Sequence, residues 1–456
     1  MGGDMLNAMK YISTVPFSGL FNWSVQYLND SKIAFSKAYP MMRIGDFLKR
    51  NKTAITIQDG VKYKRVTIKV RNGGVVPRDE VMGENIGTKK QFLVSEGQFI
   101  LSKIDARNGA MGIIPAKLDG AVVTQDFLPY DIDTTKVNPQ YFVLVCTTKQ
   151  FVAFCQSCSS GTTNRQRVDE AQFLNIKVPV PSLEEQNKLV KAYNDIMLFI
   201  KMEERKAIDI DVKATVSVRN ALGVAPYPGH VEKKLVHYID YGAIDSWSVP
   251  QILHAENSPF GKSKFACKKL SDLAFINPKT DLSMLSETDN MSFIPMEDIS
   301  DDYGEWTGKR VGSKSNVKGY TKFQDGDIIW ARITPCMQNG KSTILTNLVN
   351  GKGYGSTEFH VIRIKSNDVL PQYIHTLLRH FDVLSDAKKY FTGSAGQQRV
   401  PTSYLENLLI PVPPLEVQKQ IADEYANGIE QAKQGYIKIY NYKQELKKNF
   451  ETQIFE

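Results

Sequence analysis

The chain has 456 residues, with 57 Lys or Arg against 49 Asp or Glu, so its formal net charge is +8. Its 42% hydrophobic and 23% charged residues exclude wholesale disorder, and a length of this kind predicts two to four domains at about 100–200 residues each. The longest uncharged run, 11–29, contains proline, glycine and polar residues, which argues against a membrane span or a signal peptide. Five cysteines, an odd number, favour a reducing compartment, and we therefore expect a cytoplasmic protein.

An internal repeat divides the chain into two halves. Residues 161–186, GTTNRQRVDEAQFLNIKVPVPSLEEQ, match residues 393–418, GSAGQQRVPTSYLENLLIPVPPLEVQ, at an offset of 232 positions. The same offset pairs the Thr-Gln-Asp-Phe of 124–127 with the Ser-Thr-Glu-Phe of 356–359, and an offset of 229 pairs 96–104 with 325–333. Matches kept in order over most of both halves indicate a tandem duplication.

Each half begins with a globular block of mixed secondary structure. In chain order, 92–104 and its counterpart 323–333 have hydrophobic runs around an acidic-Gly turn, which predicts strands. The segments 137–157 and 370–390 follow, and a proline in the first turn predicts that each is helical. Both blocks end in a proline-rich segment, PVPS at 179–182 or PVPP at 411–414.

A long helix is predicted after each block. Apolar residues recur there in steps of three and four with charges between them, a pattern typical of helices that pair in a coiled coil. The residues predicted to form the coiled-coil seam or to dock a partner are Leu189, Tyr193, Ile196, Ile200, Ile421, Tyr425, Ile429, Ile439 and Leu446.

The predicted organisation is a block over 1–181, a helix over 182–222, a second block over 223–413 and a second helix over 414–456. A helix of about 40 residues would be roughly 60 Å long and cannot bury its apolar stripe alone. We therefore predict an α+β protein in which two mixed α/β blocks, related by a pseudo-two-fold repeat, are separated by two antiparallel helices. The alternative is that each helix packs on its own block.

Positive charge is concentrated in the two blocks, because neither long helix carries a net positive charge. If the protein binds a polyanion, we expect the blocks to bind it. A scattered, solvated surface would explain the same charge balance.

Motifs for catalysis or metal binding are incomplete. Asn138-Pro139-Gln140-Tyr141 lacks the second proline of the amino-methyltransferase signature, and no glycine-rich loop after a strand offers a site for S-adenosylmethionine. Gly340-Lys341-Ser342 lacks the first glycine of a nucleotide-binding loop, so we interpret it as a turn. Cys155 and Cys158 have no further ligands at finger spacing. We expect neither a catalytic residue nor a metal site in this chain.

The whole pattern resembles the specificity subunit of bacterial type I restriction–modification enzymes. The resemblance lies in the duplicated block, the segments VPVPSLEEQNKLV (178–190) and IPVPPLEVQKQIA (410–422), and the loops GTTNRQRV and GSAGQQRV before them. It implies that each block is a target-recognition domain for one half of a split, asymmetric DNA sequence. It also implies that the helices dock two modification (methyltransferase) subunits, which bind S-adenosylmethionine, and that restriction subunits bind ATP and Mg²⁺. The role of the first 20 or so residues is not predicted.

Side chains able to hydrogen-bond base edges or phosphates lie in corresponding loops of the two halves. The DNA-binding candidates are Lys103, Arg107, Asn108, Thr163, Asn164, Arg165, Gln166, Arg167, Arg332, Gln338, Asn339, Lys341, Gln397, Gln398 and Arg399. Residues identical in both halves, such as Arg167 and Arg399, cannot by themselves distinguish two half-sites. We therefore predict that they hold phosphate or brace the domain, while differing neighbours read bases.

Two other functions remain open. One is DNA recognition for a methylation-only system that lacks a restriction subunit. The other is a coiled-coil scaffold whose globular ends bind proteins, which would show no strong salt dependence of DNA binding. The target sequence and the length of its gap cannot be predicted from these residues.

Overall fold

A computed structural model describes residues 39–157, 159–160, 167–224, 238, 241, 258–394 and 396–455. Two compact units divide the chain. The first unit runs to Lys201 and includes Tyr440–Glu456, and the second comprises Met202–Ile439. The globular part of the first unit is called block 1 below, and that of the second unit block 2.

Block 1 is mainly β-sheet with three short helices. Its strands β2-β10-β7-β8 form one four-stranded sheet, β3-β6-β9-β4-β5 form a five-stranded sheet, and β1 pairs with β13. The strands are β1 (Met41–Arg43), β2 (Leu48–Arg50), β3 (Ala54–Thr56), β4 (Lys62–Ile68), β5 (Val75–Met82), β6 (Lys90–Val94), β7 (Phe99–Ser102), β8 (Met111–Ile113), β9 (Ala121–Val123), β10 (Phe127–Ile132), β11 (Ser159–Ser160), β12 (Arg167–Val168) and β13 (Lys177–Pro179). The helices are α1 (Pro139–Cys146), α2 (Lys149–Ser157) and α3 (Glu170–Asn175), followed by the long α4 (Leu183–Leu222).

Block 2 repeats this plan. The sheet β15-β22-β19-β20 has the strand order of β2-β10-β7-β8, and β17-β16-β21-β18 corresponds to β5-β4-β9-β6 without the additional edge strand β3. The strands are β14 (Cys267–Lys269), β15 (Ala274–Ile276), β16 (Asn290–Ile294), β17 (Val311–Ser313), β18 (Thr321–Gln324), β19 (Ile328–Ala331), β20 (Ser342–Ile344), β21 (Lys352–Gly355), β22 (Phe359–Ile364) and β23 (Leu409–Pro411). The helices are α5 (Leu270–Leu273), α6 (Pro371–Arg379), α7 (Phe381–Ala387), α8 (Thr402–Asn407) and the long α9 (Leu415–Phe455).

Aromatic side chains fill the core of block 1, where the rings of Phe99 and Phe142 lie 4.9 Å apart between centroids. In block 2 the largest buried side chain is Trp330, whose indole N–H donates to the Leu378 carbonyl oxygen at 3.2 Å. That bond satisfies a polar group that burial would otherwise leave unpaired. It also ties strand β19 to helix α6.

Within each unit, α4 and α9 pack antiparallel. In the first unit the rings of Tyr193 and Phe450 lie 6.0 Å apart. In the second unit, a Cβ built on Gly428 would lie 2.6 Å from the Ala214 Cβ, so this glycine allows a close approach of the two helices. A residue nearer the C-terminus of α4 contacts a residue nearer the N-terminus of α9, as antiparallel helices require. Their apolar stripes therefore cover each other.

Most of the predicted seam is buried. Leu189, Ile200, Ile421, Tyr425, Ile439 and Leu446 are buried, and Tyr193 and Ile429 are half-buried. Ile196 lies outside the buried seam, because it is 38% exposed, and its role in docking a partner stays a prediction. Along α4 the seam position after Tyr193 is Ile200, seven residues further on. Ile196 lies beside the line that joins these two residues.

A buried glutamine joins each long helix to its block in the same way. The Gln186 amide donates to the carbonyl oxygens of Lys136 at 3.0 Å and Pro181 at 2.8 Å, and its oxygen accepts from the Asn138 N–H at 2.8 Å. Gln418 makes the three equivalent bonds, to Asp368 (2.7 Å), Pro413 (2.8 Å) and Leu370 (3.0 Å). The final glutamine of P-x-P-x-L-E-x-Q is therefore a structural link between helix and block.

These features confirm the predicted α+β class with paired long helices. The predicted helices at 137–157 and 370–390 are present, each divided into two, and α6 and α1 begin at their prolines. Within the part of the chain that the structure describes, no helix is long and apolar enough to cross a membrane.

Candidate nucleic-acid interface

Each block brings three charged residues together where a central strand ends. Corner 1 comprises Lys103, Asp126 and Arg167. Hydrogen bonds to the Lys103 backbone connect the chain segments of these three residues. The Val168 N–H donates to the Lys103 carbonyl oxygen at 2.9 Å, and the Lys103 N–H donates to the Asp126 carbonyl oxygen at 2.7 Å. Arg167 and Val168, which form β12, are thereby held against the end of β7.

Corner 2 comprises Arg332, Glu358 and Arg399 and repeats these bonds. The Val400 N–H donates to the Arg332 carbonyl oxygen at 2.8 Å, and the Arg332 N–H donates to the Glu358 carbonyl oxygen at 2.9 Å. Residues separated by 41 positions in the chain therefore occupy one site. The backbone pattern is common to both corners, while the side chains at two of the three positions differ.

Ion pairs connect the side chains of each corner. In corner 1 the Arg167 Nε lies 3.1 Å from the Asp126 Oδ1. In corner 2 the Arg399 Nε donates to both Glu358 oxygens, at 3.1 and 2.9 Å, and its Nη2 donates to Oε1 at 2.7 Å. The hydrogen bonds that Arg399 donates to Glu358 raise the pKa of Arg399, so this arginine stays charged.

Several other predicted residues lie next to these corners. The Thr334 N–H donates to the Gln398 carbonyl oxygen at 2.9 Å, which brings the loop at 397–399 beside the segment after β19. Gln397 is exposed, and its carbonyl oxygen accepts from Arg399 Nη1 at 3.0 Å. Thr163, Asn164, Arg165 and Gln166 lie outside the described residues.

The loops after β7 and β19 carry the remaining candidates. Asn108 and Asn339 are exposed, and their side-chain amides donate to Asp105 at 3.2 Å and to Asp301 at 3.3 Å. Gln338 is exposed, whereas Arg107 is half-buried.

Lys341 does not fit the prediction that it contacts DNA. Its ammonium group donates to the carbonyl oxygens of Met296 at 3.2 Å and Ile299 at 2.9 Å, and its side chain is 14% exposed. Two of its three N–H donors are thus engaged, which leaves this ammonium group largely committed to the protein. Lys341 is therefore a structural residue that secures the loop after β16.

His360 supports corner 2 from within the core. Its Nε2–H donates to the Val400 carbonyl oxygen at 2.9 Å, which leaves Nδ1 to accept from the Asn277 amide at 3.1 Å. Burial lowers the pKa of His360 to about 4, with a further lowering from the nearby Arg332 charge. The ring is therefore neutral at pH 7 and anchors the segment that follows Arg399.

The incomplete catalytic motifs have structural roles. Asn138 caps α1, because its side-chain oxygen accepts from the N–H groups of Gln140 at 2.8 Å and Tyr141 at 3.2 Å. Gly340 lies in a turn, and strand β20 begins at Ser342, where a nucleotide-binding loop would lead into a helix. Burial raises the pKa of the Cys146 thiol. Among the described residues, no group of three or more His, Cys, Asp or Glu side chains could hold a metal ion, and Cys158 lies outside them.

Asp126 and Glu358 were not among the predicted site residues. The signal that could have found them was present, because both belong to the segments repeated at an offset of 232 positions. A search for a polyanion-binding surface considers basic and amide side chains and passes over acidic ones. Their pairing with Arg167 and Arg399 is a tertiary contact that spacing alone does not show.

Comparison with models of protein families identifies the family of this chain. The model described as "Type I restriction modification DNA specificity domain" matches twice, at residues 37–211 and 262–427. The chain belongs to this family. The two matches cover the repeated halves that the sequence predicted.

Relatives of this chain include specificity subunits of type I restriction enzymes. It is 40% identical over 158 residues to the type I restriction enzyme EcoEI specificity subunit and 42% identical over 153 residues to the EcoAI specificity subunit, both of Escherichia coli. These matches cover 34% and 33% of this chain but only 26% of each relative. It is also 23% identical over 401 residues to the MjaVIII specificity subunit of Methanocaldococcus jannaschii, which covers 84% of both chains.

A solved structure has the same fold. It was published as "Structural basis underlying complex assembly and conformational transition of the type I R-M system", and it matches with a TM-score of 0.52 at 15% sequence identity. The match covers 92% of this chain and 97% of that one. At this level of identity the comparison establishes the fold of this chain alone.

Proposed function

We propose that this chain is the DNA-recognition subunit of a type I restriction–modification system. Each block would read one half of an asymmetric, bipartite target. The observation that carries the proposal is the pair of corners, in which one backbone arrangement presents different side chains. Two copies of one scaffold with unlike surface residues suit the recognition of two unlike half-sites.

Within each block, the shared and the differing residues would have separate roles. Arg167 and Arg399 occupy equivalent positions and would hold phosphates, which carry no sequence information. Gln338 and Asn339 in block 2 and Asn108 in block 1 are exposed amides that can pair with adenine. They are the candidates for base readout. Lys103 and Arg332 differ at equivalent positions and could contribute to either role.

Catalysis would belong to the partners of this chain. Two modification (methyltransferase) subunits would bind S-adenosylmethionine, and restriction subunits would bind ATP and Mg²⁺, whereas this chain would hold no cofactor. Exposed apolar side chains on α4, among them Leu198, Ile208 and Val212, give the helix a surface that could dock protein. These partners are proposed from the family and from this surface.

The test is to co-express the tagged chain with the methyltransferase encoded beside it and to map modified bases in the host DNA. We expect a split, asymmetric methylated motif that is lost when the gene is deleted and restored by complementation. Absence of any lost motif and of an associated methyltransferase would overturn the proposal and favour a protein scaffold. Transformation with unmethylated plasmid separates the remaining possibilities, because a methylation-only system does not restrict it.

A further inference from the structure

Both corners contain a carboxylate, although their proposed ligand is a polyanion. A carboxylate beside a phosphate repels it and weakens binding. Nevertheless Asp126 and Glu358 occupy the same place in the two copies, where an uncharged residue would avoid that repulsion. Their presence in both blocks therefore requires a separate physical explanation.

The contacts of Arg399 supply that explanation. An arginine side chain loses rotamer entropy when it is held in one conformation. Here Glu358 accepts from both Nε and Nη2, and the Gln397 carbonyl oxygen accepts from Nη1. The guanidinium plane is thus fixed before any ligand arrives, and the entropic cost is not incurred on binding.

The same contacts leave the far edge of the guanidinium group available. Arginine has five N–H donors, and Glu358 and Gln397 engage the Nε–H, one Nη2–H and one Nη1–H. One N–H on each terminal nitrogen therefore has no partner among the described residues. Each of these two N–H groups can donate to a phosphate oxygen. Arg332 adds a second positive charge, so corner 2 keeps a net charge of +1 despite Glu358.

We propose that Asp126 and Glu358 are positioning residues for DNA binding, each orienting the arginine of its corner toward a phosphate. The inference rests on the proposed function, because it requires that the corners meet DNA. Corner 1 should show the weaker effect. Asp126 contacts Arg167 through Nε alone, at 3.1 Å, whereas Glu358 contacts two nitrogens of Arg399.

The experiment compares Glu358→Gln, Arg399→Ala and the double variant in the full chain purified with its co-expressed methyltransferase. The probes are a duplex that carries the mapped methylation motif and a duplex of equal length without it, each titrated at several salt concentrations. Glu406→Gln is the control, because Glu406 is exposed on α8 and its replacement changes the net charge equally. Asp126→Asn tests the same idea in the other unit.

We expect Glu358→Gln to weaken binding of both duplexes about threefold to tenfold and to lower the salt slope by about one. When Arg399 is already alanine, Glu358→Gln should strengthen DNA binding. Glu358 then has no arginine to orient, and its charge only repels the phosphate. This reversal of sign separates positioning from general loss of structure. The methylated motif should not change, and Asp126→Asn should weaken binding by a smaller factor.

Two failures are distinguishable. If the unsubstituted complex shows no salt-dependent DNA binding, the proposed function is overturned. If that complex binds DNA but Glu358→Gln and Asp126→Asn bind as tightly as the control or tighter, only the positioning role is overturned. A variant of one corner that does not fold leaves the other corner, in a separate unit, as the test.

Discussion

At the scale of single residues, His360 shows how the two copies diverged under the same fold. The equivalent residue in block 1 is Leu128, and both side chains are buried. Leucine needs no hydrogen bond there, whereas histidine requires Asn277 and the Val400 carbonyl to satisfy its two nitrogens. Block 2 therefore has a buried titratable group where block 1 has an apolar one.

This difference predicts a pH effect on stability. The folded-state pKa of His360 is about 4, below its ordinary 6.5, so the unfolded chain binds a proton that the folded chain excludes. The resulting stability is present above pH 6.5 and is lost as the pH falls toward 4. The loss should reach about 3 kcal/mol at pH 4.

The measurement is denaturant unfolding of the full chain and of His360→Leu between pH 7 and pH 4. We expect the variant to be less stable at pH 7, because Asn277 and the Val400 carbonyl lose their partner, but to depend less on pH. Parallel pH profiles for the two proteins would show that His360 does not titrate in this way.

At the scale of elements, the strongest repeated feature is the buried glutamine at the start of each long helix. Replacing Gln418 by Met keeps the volume but leaves three buried backbone groups without partners. We expect the unfolding free energy to fall by about 2–4 kcal/mol, which corresponds to a lower Tm by several degrees.

The matched control is Gln420→Met on the same helix, because Gln420 is exposed and bonds only Glu424. That substitution should change stability by less than about 0.5 kcal/mol. Gln186→Met should reproduce the effect of Gln418→Met in the first unit. Equal stabilities of the Gln418 and Gln420 variants would refute the structural role of the motif.

The close approach of α4 and α9 gives a second prediction for elements. An alanine in place of a helical glycine ordinarily stabilises by about 1 kcal/mol, but the Cβ of Gly428→Ala would lie 2.6 Å from the Ala214 Cβ. We expect a net destabilisation of about 1–3 kcal/mol in thermal or urea unfolding.

Two further variants test this cause. Gly435→Ala should be close to neutral, because its added Cβ would lie 3.2 Å from the Ala207 Cβ and needs only a small shift. Ala214→Gly should restore much of the stability that Gly428→Ala loses. If Gly428→Ala stabilises the protein, the helices separate more easily at this point than the structure indicates.

At the scale of the whole molecule, the two units should contribute independently to the target sequence. Gln338 is exposed in the loop after β19 of block 2, so Gln338→Ala should relax one position in one half of the methylated motif. The other half and the gap should stay unchanged. Mapping methylated bases in cells that express the variant tests this expectation.

Arg399→Ala is the contrasting control, since a phosphate contact affects all sequences alike. It should lower the extent of methylation without altering the motif. A change of base preference with Arg399→Ala, or changes in both halves with Gln338→Ala, would contradict the division of roles between shared and differing residues.

The sequence predicted the periodic and the duplicated features well. The offset of 232 residues located two equivalent blocks, and the steps of three and four located both long helices, which the structure places at Leu183–Leu222 and Leu415–Phe455. The helical periodicity depends on neighbours within one or two turns, and the duplication is found by comparing the two halves. For Ile196 the local pattern was not sufficient. The helical spacing allows this residue in the seam, but the other side of the seam is formed by a distant segment.

By itself, the sequence determined the tandem repeat, the mixed blocks, the paired helices and the candidate DNA-binding loops, because these follow from periodicity and from comparison of the two halves. Only the tertiary structure decided which charges are available. Lys341 is bound to carbonyl oxygens 42 and 45 positions away, and Arg399 is held by a carboxylate 41 positions away. Hydrogen bonds and ion pairs depend on distances between atoms, and the fold brings together residues that no spacing along the chain connects.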